Sequence, residues 1–167
     1  MARKSTTPAS GLTGVNGSAV GKELQDTLVE LTDLSLRGKQ AHWNVVGPHF
    51  TAVHEQLDDV IAAVRLASDE VAERAVALGY APDGRVTTVA KSTPLPEFPA
   101  GQVTVGEVIE HITESLTAVC GHLRERVERL EDLDLVSQDL LIGHLATLEK
   151  YHWMFSVQRV PDPATPR

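Results

Sequence analysis

The sequence predicts an all-α protein, a bundle of four long helices with a long crossover between the second and third helices. Apolar residues recur at steps of three and four through four separate segments, the period of a helix with one buried face. A stretch rich in proline and glycine, residues 80–103, separates the second segment from the third. Aromatic residues make up only 4% of the chain, as expected for an aliphatic helical core.

The first two helices form a predicted hairpin. Ser18 is the predicted N-cap of the first helix, which runs to about residue 45. Gly47 and Pro48 end it, because proline disfavours helix in the residue before it. The second helix is predicted from Pro48 to Leu78, with Pro48 in its first turn and Gly79 as its stop. Its predicted core positions are Val53, Leu57, Val60, Val64, Ala67, Val71, Ala75 and Leu78.

The second half of the chain repeats the hairpin pattern. A short helical piece is predicted at residues 87–91, and a crossover of this length lets the second and third helices run parallel. The third helix starts near Thr104, and the acidic turn 131–134 follows it. The fourth helix runs from residue 135 or 136 to Phe155. Residues 18–157 are therefore predicted to form one domain, between a flexible arm (1–17) and a tail (158–167).

Composition excludes several classes of protein. The formal net charge of −8 argues against a broad basic surface for nucleic acid. The single cysteine, Cys120, rules out an internal disulfide and lies on an apolar helical stripe, so a packed thiol in a reducing cytosol is expected. No apolar run approaches the ~20 residues that span a bilayer. The basic start of the chain lacks the hydrophobic segment of a secretory signal, and we expect a cytoplasmic protein.

Five candidate metal ligands lie in or beside the second helix. They are His42, His54, Asp58, Asp69 and Glu73. The steps from His54 to Asp58 and from Asp69 to Glu73 are both i,i+4, so each pair shares one face of a helix. The step of eleven residues from Asp58 to Asp69 corresponds to roughly 16 Å of helix, which is too far for one metal site.

An antiparallel pair of these helices would resolve that separation. The midpoint of His54 and Glu73 is also the midpoint of Asp58 and Asp69, between positions 63 and 64. A two-fold axis at this midpoint would set His54 and Asp58 of one chain against Asp69 and Glu73 of a second chain. The symmetry would produce two such sites in each dimer. The ligand face lies roughly 140° from the core face. Apolar residues on or beside it favour an interface; these are Ile61, Ala62 and Leu66.

Imidazole and carboxylate ligands without thiolate suit iron, manganese or zinc. Bridging carboxylates would hold two ions ~3.5–4 Å apart for iron oxidation. Acids on a helix face can instead be simply solvated. Trp43 is either a buried packing residue or an electron donor beside a redox metal. A rival site, Glu149 with His152, has the Glu-x-x-His spacing of di-iron bundles, but residues 19–78 contain no second copy of that motif.

Acidic residues also cluster where the fourth helix begins. They are Glu131, Asp132, Asp134 and Asp139. Such residues complement the helix dipole, worth ~0.3–1 kcal/mol. Around a three-fold axis of a symmetric shell, they would instead line a negative channel that attracts Fe²⁺.

The runs H-W-N-V-V-G-P-H-F-T-A-V-H-E-Q-L-D-D and D-E-V-A-E-R closely resemble the Dps family, the ferritin-like DNA-protection proteins of starved cells. The resemblance covers roughly residues 18–157. It implies a hollow homo-dodecamer whose two-fold interfaces bind Fe²⁺ and oxidise it, typically with hydrogen peroxide, and whose interior stores the ferric mineral. It assigns His42, His54 and Asp58 to one subunit and Asp69 and Glu73 to its mate. Asp139 matches an acid of the family's iron pore; Asp132 and Asp134 match less closely.

One departure from the resemblance concerns DNA. The arm offers only Arg3 and Lys4, and the C-terminal end only Arg159 and Arg167. With −8 on each chain, we expect weak or absent DNA binding and a chemical form of protection. Two alternatives stay open at this point: a nucleoid-binding structural protein with a secondary metal site, and a bundle that uses the site for a structural ion.

Overall fold

The computed structural model of the chain describes residues 16–159. Its helices are α1 (Gly17–Asn44), α2 (Phe50–Ala77), α3 (Val86–Ser92), α4 (Val105–Leu130) and α5 (Leu135–Ser156), followed by a 3₁₀ turn at Val157–Arg159. Two short strands, β1 (Val45–Val46) and β2 (Val103–Thr104), complete the fold. The predicted all-α bundle and the short helix in its crossover are confirmed. The predicted arm lies outside the described residues except for Asn16 and Gly17, and Gly17 already belongs to α1.

The four long helices bury one apolar stripe each in a common core. α1 packs along α2 and α4 along α5, while contacts of α1 with α4 and of α2 with α5 join the two hairpins. Every predicted core position of α2 is buried. Within the described residues no helix is long and apolar enough to cross a bilayer.

The structure corrects two predicted helix starts. Asn16, not Ser18, caps α1, because its side chain accepts the N–H of Ala19 at 3.2 Å. α2 begins at Phe50 rather than at Pro48, since Gly47 and His49 both adopt positive φ angles and hold the preceding residues in a turn.

The remaining helix ends agree with the sequence. Gly79, at φ 79°, follows α2 as predicted. Thr104 caps α4 and exchanges hydrogen bonds with Glu107 in a capping box.

The parallel pair of β1 and β2 was not predicted. Val45 is paired with Val103 and Val46 with Thr104. The pair ties the chain just before α2 to the chain just before α4, so it fixes the turn in which α1 reverses into α2. Each strand has only two residues, which is too short to produce a recognisable alternation.

Polar contacts hold the crossover against α1. The guanidinium of Arg37, which is buried, donates to Asp33 at 2.9 Å and to the carbonyls of Leu95 and Pro96. Thr93 donates to the same Asp33 carboxylate at 2.6 Å. The end of the crossover therefore lies beside the C-terminal half of α1, the part that carries His42.

One residue predicted to favour an interface is instead part of the core. Ile61 is only 2% exposed, because it packs against Gly38 of α1. A Cβ at position 38 would lie 2.7 Å from Ile61 Cγ1, so the glycine permits a close approach of α1 and α2. Ala62 and Leu66 remain exposed, Leu66 to 59%.

Candidate metal centre

Two histidines from neighbouring helices form a stacked pair. The rings of His42, near the end of α1, and His54, in the second turn of α2, have centroids 3.6 Å apart and planes 22° apart. His42 Nδ1 lies 3.0 Å from the backbone oxygen of His54, and His54 Nδ1 lies 2.9 Å from the backbone oxygen of His42. A carbonyl only accepts, so each Nδ1 carries the proton. In a neutral ring of this tautomer, Nε2 is the atom with the lone pair that can bind a metal ion.

Asp58 lies one turn beyond His54 on the same face of α2. Its Oδ1 is 3.5 Å from His42 Nδ1 and 2.5 Å from Lys39 Nζ. The hydrogen bond from Lys39 is the main cause that lowers the pKa of the Asp58 carboxyl, with a smaller contribution from the charge of His42. Asp58 is thus a carboxylate at neutral pH. His42, His54 and Asp58 together form what we call the histidine half-site.

Asp69 and Glu73 form the acidic half-site, one turn apart on the exposed side of α2. Among residues 16–159 neither carboxylate takes part in an ion pair or a side-chain hydrogen bond. Two adjacent, unpaired carboxylates that both face solvent are free to bind a cation.

Neither half-site is a complete metal centre. Within the part of the chain that the structure describes, no three histidine, cysteine, aspartate or glutamate side chains lie close enough to hold an ion. The two half-sites are roughly 16 Å apart along α2, so one chain cannot join them.

Comparisons with known proteins define the family. The ferritin-like domain family matches residues 21–160. The DNA protection during starvation protein of Mycolicibacterium smegmatis is 41% identical over 143 residues, covering 86% of this chain and 78% of that protein. The chain belongs to the Dps family.

Solved structures of Dps proteins share the fold. The tetragonal form of Mycobacterium smegmatis Dps superposes with a TM-score of 0.85 at 39% identity, covering 88% of this chain and 91% of that one. DpsA14 from Streptomyces coelicolor gives a TM-score of 0.86 at 33% identity, covering 91% and 92%. This member of the Dps family therefore has the ferritin-like four-helix bundle.

Trp43 is not a packing residue within the protomer. Its side chain is 71% exposed, directly after His42 on α1. The interpretation of Trp43 as a residue buried by packing within the protomer is therefore wrong, and its role as an electron donor stays a prediction.

The rival Glu-x-x-His pair has other partners in this Dps chain. Glu149 accepts a hydrogen bond from Arg124, and His152 Nε2 lies 3.0 Å from the hydroxyl of Thr117. No third metal-binding side chain joins them among the described residues. This pair therefore does not resemble a metal site.

The acids that begin α5 differ from one another. Asp134 caps the helix, accepting the Ser137 N–H at 3.1 Å, and pairs with Arg74 at 2.6 Å. Burial raises the pKa of Asp134, but the bonds from Arg74 and Ser137 outweigh it, so the pKa lies below its usual value. The helix-cap interpretation thus applies to Asp134. Asp132 and Asp139 are exposed, and their role in a pore stays a prediction.

Lys39 is the residue of this site that the sequence analysis missed. It lies three residues before His42, a step that places two side chains on one helical face. The available signal in the sequence was this spacing, which places a positively charged side chain on the same helical face as the candidate ligand His42.

Proposed function

We propose that this Dps-family protein oxidises Fe²⁺ at paired inter-subunit centres and stores the ferric product inside a homo-dodecamer. The observation that carries the proposal is the division of the ligands into two incomplete half-sites with a common midpoint on α2. An antiparallel second copy would join the histidine half-site of one chain to the acidic half-site of the other.

The ligands suit ferrous iron as a substrate. The histidine half-site offers two imidazole nitrogens and one carboxylate, and the partner's Asp69 and Glu73 would add two carboxylates. Three negative charges favour Fe³⁺ over Fe²⁺, and a bridging carboxylate can hold two ions ~3.5–4 Å apart. Two Fe²⁺ ions then supply the two electrons that convert one H₂O₂, with two protons, into two H₂O. Paired delivery of electrons avoids release of hydroxyl radical.

Other residues have proposed supporting roles. Trp43 would supply an electron to a radical oxidant when only one iron is bound. Asp132 and Asp139, with Asp134 contributing through its charge, would attract Fe²⁺ to a pore on a three-fold axis. The proposed location is the cytoplasm. The single cysteine is a buried thiol, so the fold contains no internal disulfide that would require an oxidising compartment.

DNA protection is proposed to be chemical rather than by coating. The printed name of the mycobacterial relative describes DNA protection, and removal of Fe²⁺ together with peroxide would provide it. The net charge of −8 opposes contact with phosphate. The described part of the tail offers Arg159, which pairs with Glu110 at 3.5 Å. A clear gel shift at low salt that disappears steeply as salt rises would instead favour the nucleoid-binding alternative.

Stopped-flow absorbance of ferric product from Fe²⁺ and peroxide tests the proposal. Asp58→Ala and Asp69→Ala are each expected to slow oxidation by at least about 10-fold while light scattering shows an unchanged particle. Asp59→Ala is the matched control, because Asp59 is the exposed neighbour of Asp58 outside the half-site. Equal rates in all variants would refute the centre. Metal binding without oxidation would show a structural ion.

A further inference from the structure

An ammonium group occupies the histidine half-site of the protomer. Lys39 reaches from α1 to α2 and places Nζ 2.5 Å from Asp58 Oδ1. Its side chain is only 22% exposed, whereas that of Asp58 is 52% exposed. The lysine is therefore held in place by packing, and the contact differs from a pair of long side chains that meet in open solvent.

The contact cancels the charge of the half-site. Asp58 supplies the only carboxylate of the half-site, and Lys39 sets one positive charge directly against it. A divalent ion approaching this half-site alone meets a carboxylate that is already paired with an ammonium group. The acidic half-site, in contrast, carries two negative charges without a paired cation among residues 16–159.

We infer that Lys39 is a resident counter-ion that makes metal binding at the histidine half-site conditional on the partner's acidic half-site. The inference rests on the proposed function. When two chains pair, the partner's Asp69 and Glu73 bring the charge that attracts the dication, and the ion then displaces the ammonium from Asp58. Without the partner, Lys39 holds the carboxylate and the half-site stays closed to metal.

Removal of the lysine charge should open the half-site. Lys39→Met keeps most of the apolar stem and leaves Asp58, which lies 3.5 Å from His42 Nδ1, without its ammonium partner. Removing a unit charge a few ångströms from a bound dication in a solvated site changes affinity on the order of 10-fold. We expect Lys39→Met to bind Co²⁺ at least about 10-fold more tightly than the unsubstituted protein, as followed by the visible absorption of the bound ion without any turnover.

Two variants control the measurement. Lys22→Met removes a lysine from the same helix that pairs with Asp26 at 2.7 Å, far from the half-site, and should leave the Co²⁺ titration unchanged. Lys39→Arg retains the positive charge and should not tighten binding. Lys39→Gln is a second neutral substitution in case Lys39→Met fails to assemble by light scattering.

The outcomes separate this inference from the proposed function. If Asp58→Ala binds Co²⁺ as well as the unsubstituted protein does, the proposed centre itself is wrong. If Asp58→Ala loses Co²⁺ while Lys39→Met and Lys39→Gln bind it no more tightly than before, the centre survives and the role of Lys39 is overturned. Tighter binding by both neutral variants, but not by Lys39→Arg, supports the counter-ion.

Discussion

Two inactive variants should restore activity when they are combined. Asp58→Ala removes a ligand from the histidine half-site, and Asp69→Ala removes one from the acidic half-site. Within a chain these half-sites lie roughly 16 Å apart along α2, so neither variant can rebuild a centre by itself. In a mixed dimer, one centre contains both defects and the other contains none.

The expected recovery follows from counting the centres. Random pairing of equal amounts makes about half of the dimers mixed, and one of the two centres in each mixed dimer is intact. The mixture should therefore regain about one quarter of the unsubstituted oxidation rate. The variants are purified separately, mixed in denaturant, refolded together and assayed by stopped-flow with Fe²⁺ and peroxide, with particle size checked by light scattering.

The matched control mixes Asp58→Ala with His54→Ala. Both defects then lie in the histidine half-site, so every centre of every dimer is damaged and no recovery is expected. If the Asp58→Ala and Asp69→Ala mixture is no more active than this control, the ligands are not shared between subunits and the reasoning fails.

Three further predictions concern packing and titration. Asp134→Ala removes a helix cap and an ion pair and should lower the free energy of unfolding by about 1–2 kcal/mol in urea melts. Because the folded pKa of Asp134 is depressed, its contribution is present above the unfolded value of 3.8 and is lost as the pH falls through the folded pKa, so unsubstituted protein and variant should converge in acid. Gly21→Ala places a Cβ against the ring of Tyr80 and should lower the free energy of unfolding by about 1–3 kcal/mol. Gly121→Ala, whose Cβ would meet open space, should raise it slightly. Shifts of the opposite sign in thermal melts would contradict this packing. Burial, and then the charge of Glu149, raise the pKa of Cys120 to about 11 from 9.0, so alkylation at pH 8 should be about 100-fold slower than in denaturant, and comparable rates would show an open thiol.

The sequence predicts the bundle well because hydrophobic periodicity is strong in every long helix. Its errors fall where local geometry depends on tertiary contacts. The turn before α2 is shaped by the β1–β2 pair and by the left-handed conformation of His49, at φ 63°, neither of which has a signal in the sequence. The sequence predicts Ile61 near the interface from its angular position around the second helix. That position cannot reveal that Gly38 lets α1 approach Ile61 closely.

The candidate site was predicted in part. The spacing of the four ligands on α2 follows from helical geometry, and the structure places them in two separate groups on that helix, with His42 of α1 beside the first group. The stacking of His42 with His54 could not be predicted, since it depends on how closely α1 and α2 meet. The contact between Lys39 and Asp58 crosses between helices in the same way, although the spacing of Lys39 from His42 was visible.

The crossed bonds between each imidazole and the other histidine's backbone carbonyl have a consequence for repeated use of the site. They orient both rings through the main chain of the α1–α2 hairpin, so the ligand shape is kept by the polypeptide and not by a bound ion. Chelators that unfold metal-dependent domains should strip this protein of iron and leave its helices intact. The proposed function requires each centre to bind and release iron many times, and a scaffold that keeps its shape without the metal permits that cycle.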